Sequence, residues 1–249
     1  MRITRLYYPD SLKRGEAVHL GKDASNHLIR VLRTKAGSPV ILFNGDGFDY
    51  YGTTLDTNSK NTSLSIDEKI KTDSESNIDI CLIQGLSRQN RMDTTIQKSV
   101  ELGVNTIIPV ICQRSNLKLN KETSLKKHLH WQKITTSACE QSGRSNLPHL
   151  NEALTLETLS QSLNKNALKI ILDPTANITL KDIDSNQLEN CKNKIEVFIG
   201  PEGGLDNEEI NYLKNQQFIN ICFGPRILRT ETAGPAIISA LQLLWGDLG

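Results

Sequence analysis

Two glycine- and proline-rich segments, each directly following a short β-branched run, constrain this chain more than any other feature. Phe198-Ile199-Gly200-Pro201-Glu202-Gly203-Gly204 completes the run that begins at Ile195, and Phe223-Gly224-Pro225-Arg226-Ile227-Leu228-Arg229-Thr230-Glu231-Thr232-Ala233 follows Phe218–Cys222. A helical pattern comes after each. Strand, tight loop and helix, twice over, predict an α/β domain on parallel strands, and open sheets of that kind bind ligands at the carboxyl ends of their strands. Glycine lets a backbone approach a bound molecule closely, and proline fixes the bend. The first loop has neither a dinucleotide fingerprint nor the Lys-Ser or Lys-Thr of a P-loop. Glu202 inside the turn would repel a pyrophosphate; a carboxylate suits hydroxyls, amines or a cation.

The charge is spread unevenly. The net charge is +1, yet residues 1–35 carry eight Lys/Arg against three Asp/Glu, 113–149 carry seven against two, and 181–211 carry three against eight. Two basic segments on a near-neutral chain suggest a local polyanion-binding surface; scattered solvated faces would give the same counts. The longest apolar run, Ile107–Cys112, is far below the roughly 20 residues of a membrane span. Five widely spaced cysteines with no Cys-x-x-Cys argue against a disulfide framework or a zinc site and for a reducing, cytoplasmic setting. No metal is expected, and no secretory signal is read at Arg2 and Arg5.

Residues 1–72 read as a β-rich unit, with strands at Val40–Phe43, Tyr50–Leu55 and Ser63–Ile66 and turn residues Asn44–Gly47 between the first two. One helix, Ala24–Arg33, interrupts them, with Asp23 as its cap and Leu28, Val31 and Leu32 as its apolar stripe. The polar stretch from Lys71 to Asn77 marks the boundary to a second domain, 73–249. There the pattern alternates: strand Ile78–Ile83, helix Asp93–Leu102, strand Thr106–Ile111, helix Leu125–Ser142, strand Leu168–Leu172, then the two loop-bearing strands. The last helix, from Ala233 to Trp245, has apolar residues at Ile237, Ile238, Leu241, Leu243, Leu244 and Trp245, more than one packing face uses. A second subunit covering part of it, in a homodimer, is expected.

The two loops, together with Arg91-Met92-Asp93 to Val104, Trp131-Gln132-Lys133-Ile134 to Arg144, and His27 to Arg33, resemble the RsmE family of SPOUT-superfamily methyltransferases over nearly the whole chain. Gly234-Pro235 departs from the family pattern. The resemblance implies methylation of N3 of a uridine in 16S ribosomal RNA of the small subunit, with S-adenosylmethionine as cofactor. It also implies the architecture: α/β, with a SPOUT-type trefoil-knotted C-terminal domain and a smaller PUA-like β-barrel N-terminal domain that binds RNA. Cofactor contacts then fall on Leu172, Ile199, Gly200, Pro201, Glu202, Gly203, Gly204, Phe223, Gly224, Ile227, Leu228, Thr232 and Ala233. Arg229, or backbone N–H groups at the start of the last helix, is the candidate to stabilise charge on the base, and Glu231 or Glu202 to accept its proton; either glutamate could instead hold a loop and water take the proton. RNA contacts are expected from Arg2, Arg5, His27, Arg30 and Arg33, and from Arg88, Arg91, Lys98, Arg144 and Arg226. Two other readings stay open at this point: a SPOUT enzyme acting on another RNA position, and a noncatalytic RNA-binding assembly factor.

Overall fold

The computed structural model describes residues 3–115 and 120–249; Arg2, one of the expected RNA contacts, lies outside them. The chain divides into two units. The first comprises the residues up to Glu75 together with Cys139–Leu147, and the second comprises Ser76–Ala138 together with Pro148–Gly249. Unlike the single cut after residue 72 expected from the sequence, this division is discontinuous.

The first unit is built on β1 (Thr4–Tyr7), β2 (Ala17–His19), β3 (Pro39–Phe43), β4 (Phe48–Thr54) and β5 (Ser63–Lys71), ordered β1-β3-β4-β5-β2. Only β1 and β3 pair in parallel. The β3–β4 turn is the expected one: Gly45 and Gly47 have φ of 96° and 81°, and the Asn44 side chain accepts the Asp46 amide at 3.2 Å. Leu6, Leu20, Leu28, Val40, Leu42, Leu64 and Ile66 fill the core. The expected helix differs in kind. A short α1 (Lys22–Asn26) passes into a π-helical turn, His27–Val31, in which the Leu32 amide reaches back five residues to His27 O. The wider turn changes the angular spacing of its side chains. Leu28 is buried while Val31 and Leu32 are 62% and 44% exposed, and the expected apolar stripe is broken.

Two of the expected RNA contacts serve this unit's interior. The Arg5 side chain, 9% exposed, is ion-paired with Asp49, donates to Ser145 Oγ at 3.0 Å and lies 5.1 Å from the centre of the Phe43 ring. Ser145 also donates to Asp49. Arg144, 4% exposed, donates from Nε to Glu75 Oε1 at 2.9 Å. A guanidinium buried against a carboxylate is out of reach of a phosphate, so Arg5 and Arg144 are structural here. Glu140 accepts the Tyr7 amide at 3.0 Å, and burial pushes its carboxyl above the usual range.

The second unit contains β6 (Asp79–Gly85), α2 (Gln89–Glu101), β7 (Thr106–Ile111), α3 (Lys121–Ser142), β8 (His149–Leu150), β9 (Leu154–Thr155), α4 (Leu156–Leu159), β10 (Leu168–Leu172), α5 (Ser185–Asn190), β11 (Lys194–Ile199), α6 (Asn207–Asn215), β12 (Ile219–Ile221) and α7 (Thr230–Trp245). The last residues of α3, from Cys139, belong to the first unit. Every pairing in the sheet is parallel, in the order β12-β10-β11-β6-β7-β8, with β9 also on β7. The β6-α2-β7 unit is the expected βαβ. Ile80, Leu82 and Ile83 on β6 and Val197 and Phe198 on β11 are fully buried, as central strands covered on both faces require. Helix α7 starts at Thr230, three residues before its expected start, and packs against α2, β6 and β11. Ile237, Ile238 and Leu241 are thereby buried within this unit, and only Leu243 and Leu244 of the apolar set are strongly exposed. Among the described residues no helix is long and apolar enough to cross a membrane.

Arg5→Met should lower the unfolding free energy by about 3 kcal/mol, because Asp49 would be left buried without its cation. Chemical denaturation measures this; an unchanged midpoint would return Arg5 to the surface as an available RNA contact.

Candidate active site

The carboxyl ends of four neighbouring strands frame the site. β10 ends at Leu172, β11 at Ile199, β12 at Ile221 and β6 at Gly85. The β11 loop packs so closely on β6 that a Cβ at Gly85 would lie 2.6 Å from Pro201 N, closer than real Cβ atoms come, so only glycine fits there. Its turn closes with the Gly204 amide on Pro201 O at 2.9 Å, and the positive φ belongs to Gly204 at 69° rather than to Gly203. Gly203 is closely packed for another reason: a Cβ there would lie 3.0 Å from Arg114 Cβ, tight enough that one of the two must give slightly. Arg114 Nη1 donates to Gly203 O at 3.3 Å and to Leu205 O at 3.4 Å, clamping the loop from outside. The chain then enters α6 through a reciprocal cap between Asp206 and Glu209.

The second loop, from Cys222 to Arg229, is held at its ends and open in its middle. Gly224 has φ of 81°, and no hydrogen bond among the described residues occupies the amides of Ile227 and Leu228. Leu172, Phe223 and Leu228 are half-buried, Ala233 is buried, Thr232 is exposed, and the Ile227 side chain is 84% exposed. Ile227 can therefore offer its backbone to a ligand without its side chain forming a wall.

Arg91, near the start of α2, joins the two loops electrostatically. Its Nη1 lies 2.9 Å from Glu202 Oε1 and its Nε lies 3.6 Å from Glu231 Oε1. Glu202 Oε1 also accepts the Arg88 amide at 3.1 Å. Both candidate proton acceptors are thus gathered around one arginine that the sequence had marked as an RNA contact. Glu231 Oε2 is buried and has no hydrogen-bond partner. Arg229, the residue preceding α7, is exposed, and its side chain has no partner among the described residues.

These groups fit S-adenosylmethionine. A buried acceptor without a donor, a second carboxylate beside it, free backbone amides and half-buried apolar side chains suit a ligand with cationic sulfonium and amino groups, hydroxyls and a flat base. Of the remaining RNA candidates, His27, Arg30 and Arg33 are exposed on the first unit. On the second, Arg88 and Arg226 are exposed, and Lys98 is exposed but paired with Glu101 at 2.9 Å. Sequence reasoning missed Gly85 and Arg114. Both act through contacts with a loop far away in the chain, and no local signal marks them.

Known proteins resemble this chain in sequence and in fold. Residues 74–242 match the family model of an RNA methyltransferase domain, and residues 20–60 match that of an RNA methyltransferase PUA domain. The chain is 35% identical to the ribosomal RNA small subunit methyltransferase E of Buchnera aphidicola subsp. Schizaphis graminum, over 99% of this chain and 98% of the relative. It is 30% identical to the protein of the same name from Bacillus subtilis, over 94% and 91%. The crystal structure of the corresponding Neisseria gonorrhoeae enzyme, bound to S-adenosylmethionine, superposes over the full length of both chains with a TM-score of 0.91 at 34% identity.

Gly85→Ala should weaken S-adenosylmethionine binding at least about tenfold, since the added methyl must push Pro201 and its loop off β6. Calorimetric titration reads this directly, and an unchanged affinity would show that the β11 loop does not form the pocket.

Proposed function

Because the chain belongs to the ribosomal RNA small subunit methyltransferase E family, we propose that it methylates N3 of a uridine in the 16S RNA of the small subunit. The fold is the SPOUT-type α/β domain with a PUA-like unit that the sequence motifs implied, and S-adenosylmethionine is the cofactor. The observation that carries the reading is the convergence of both loops on one strand edge, with Arg91 between Glu202 and Glu231 and the unpaired Glu231 Oε2 beside them.

When bound, S-adenosylmethionine supplies an electrophilic methyl group. The residues of this chain have three other tasks. The first is alignment of uridine N3, which the paired loops achieve by fixing the pocket between them. The second is removal of the N3 proton. Glu202 Oε1 is already engaged by Arg91 and the Arg88 amide, whereas Glu231 keeps an oxygen without a partner, which favours Glu231 as acceptor. The third is stabilisation of the charge that then spreads onto O2 and O4, for which the exposed, unpaired Arg229 guanidinium is suited. Arg88 and Arg226 on this unit, and His27, Arg30 and Arg33 on the first, are the RNA contacts of this reading. Two-fold pairing through α7 and the residues just after it completes the reading: Leu243, Leu244 and Leu248 are 61%, 51% and 52% exposed, apolar surface that a second copy would cover. The cytoplasm, where ribosomal RNA is processed, is the setting.

Mapping the modified nucleosides of 16S RNA in a strain lacking this protein should reveal one missing N3-methyluridine. Complementation with Arg229→Ala should restore it slowly, with turnover lowered by about 10²–10³-fold at saturating S-adenosylmethionine. A full complement of methylated uridines in the deletion strain would remove the proposed substrate, and a wild-type rate would remove Arg229 from catalysis.

Replacing Leu244 and Trp245 with glutamate should shift the protein from dimer to monomer in sedimentation and reduce methylation with it. A fully active monomer at assay concentration would end the dimer proposal.

A further inference from the structure

Gln84, near the end of β6, is completely buried. Its Nε2 donates to Gly85 O at 3.0 Å and to Thr230 Oγ1 at 2.9 Å. The Thr230 hydroxyl donates in turn to Gly200 O at 2.8 Å. The direction of this chain is forced: a carbonyl oxygen only accepts, so the hydroxyl must give its proton to Gly200 and receive one from the amide. Both amide protons of Gln84 are then spent, and its Oε1 is left buried without a partner.

That orphan is informative. A buried acceptor without a donor is costly, and an apolar side chain of similar size would fill the same space without that cost. Rotating the amide to satisfy Oε1 would set it against Gly85 O and withdraw the donor from Thr230. The side chain thus keeps an unfavourable end in order to hold a favourable one. The two groups it ties together lie at the centre of the site. Gly200 opens the β11 loop two residues before Glu202, and Thr230 is the first residue of α7, between Arg229 and Glu231.

We propose that Gln84 and Thr230 form a positioning relay, through which β6 sets the cofactor loop at Gly200 and the Arg229–Glu231 pair as one body. This rests on the function proposed above. Neither residue touches the reacting atoms; Thr230 acts through Arg229, and Gln84 acts through Thr230. Because the hydroxyl meets both loops at one atom, losing it affects cofactor affinity and the charge-stabilising side chain together, which damage to one loop alone would not do.

The test uses the full-length protein with Thr230→Val, which keeps the shape and removes the hydroxyl, and Thr230→Ser, which restores it. Affinity for S-adenosylmethionine is read by calorimetry, and turnover is read on small-subunit RNA at saturating cofactor, in the Arg229 and Arg229→Ala backgrounds. Thr230→Val should weaken cofactor affinity and lower saturated turnover by about tenfold each, and Thr230→Ser should recover both. With Arg229 already replaced by alanine, the turnover loss from Thr230→Val should shrink to about twofold or less, because residues acting through one another are not additive. Fully additive losses, or wild-type affinity and turnover in Thr230→Val, would overturn the relay. If Thr230→Val does not fold, Gln84→Met, which removes the donor at similar volume, is put through the same measurements with the same criteria. A wild-type protein that binds S-adenosylmethionine but methylates no subunit RNA would instead overturn the proposed function, and the calorimetric comparison would still decide the relay.

Discussion

The geometry at the carboxyl edge depends on how closely β6 and β11 approach where they end. The two strands pair in register from Asp79 with Lys194 to Gln84 with Ile199, and one residue further on Gly85 lies against Pro201 with no room for a methyl group. A parallel pair in the middle of a sheet is covered on both faces, so neither strand can shift to relieve a clash. The turn from Pro201 to Gly204 therefore starts from a fixed point, and the positions of Glu202, of the Arg114 clamp and of the entry to α6 depend on it. Close packing at one glycine turns a stretch rich in glycine, and so flexible by itself, into a defined wall.

Arginines with identical chemistry meet different fates here because their surroundings differ. Arg5 and Arg144 are buried and held by Asp49 and Glu75, where removing the cation leaves a desolvated carboxylate. The side chain of Arg91 is 35% exposed, so its contacts with Glu202 and Glu231 contribute little to stability and count mainly as geometry. Arg229 and Arg226 have no partners among the described residues and remain available to a ligand. Charge counting along the chain could not separate these cases, since burial decides them.

The strand-loop-helix pattern around Gly200 and Gly224 was legible because glycine, proline and β-branched residues act locally. For the same reason the βαβ unit of β6, α2 and β7 could be read, with α2 starting at Gln89 rather than Asp93. Strands β1, β2, β8 and β9 were not legible. They are two to four residues long, too short to show a period, and exist because longer neighbours hold them. The π-turn at His27–Val31 misled the helical reading, since a single extra residue per turn moves Val31 and Leu32 out of the stripe that a regular helix would bury. Within the site, the loops themselves were found, but Gly85, Arg114, Gln84 and the gathering role of Arg91 are tertiary facts.

The return of Cys139–Leu147 to the first unit sets an order on events during synthesis. Arg5, Asp49 and Glu75 leave the ribosome early, yet Ser145 and Arg144, which complete their hydrogen bonds and charges, emerge only about 70 residues after Glu75. At typical elongation rates of roughly 5–20 residues per second, that leaves several seconds during which the buried Arg5–Asp49 pair lacks Ser145 and Glu75 lacks its arginine. During that interval β6, α2 and β7 have already been made. The amino-terminal half of this chain therefore cannot finish folding before the carboxyl-terminal half begins.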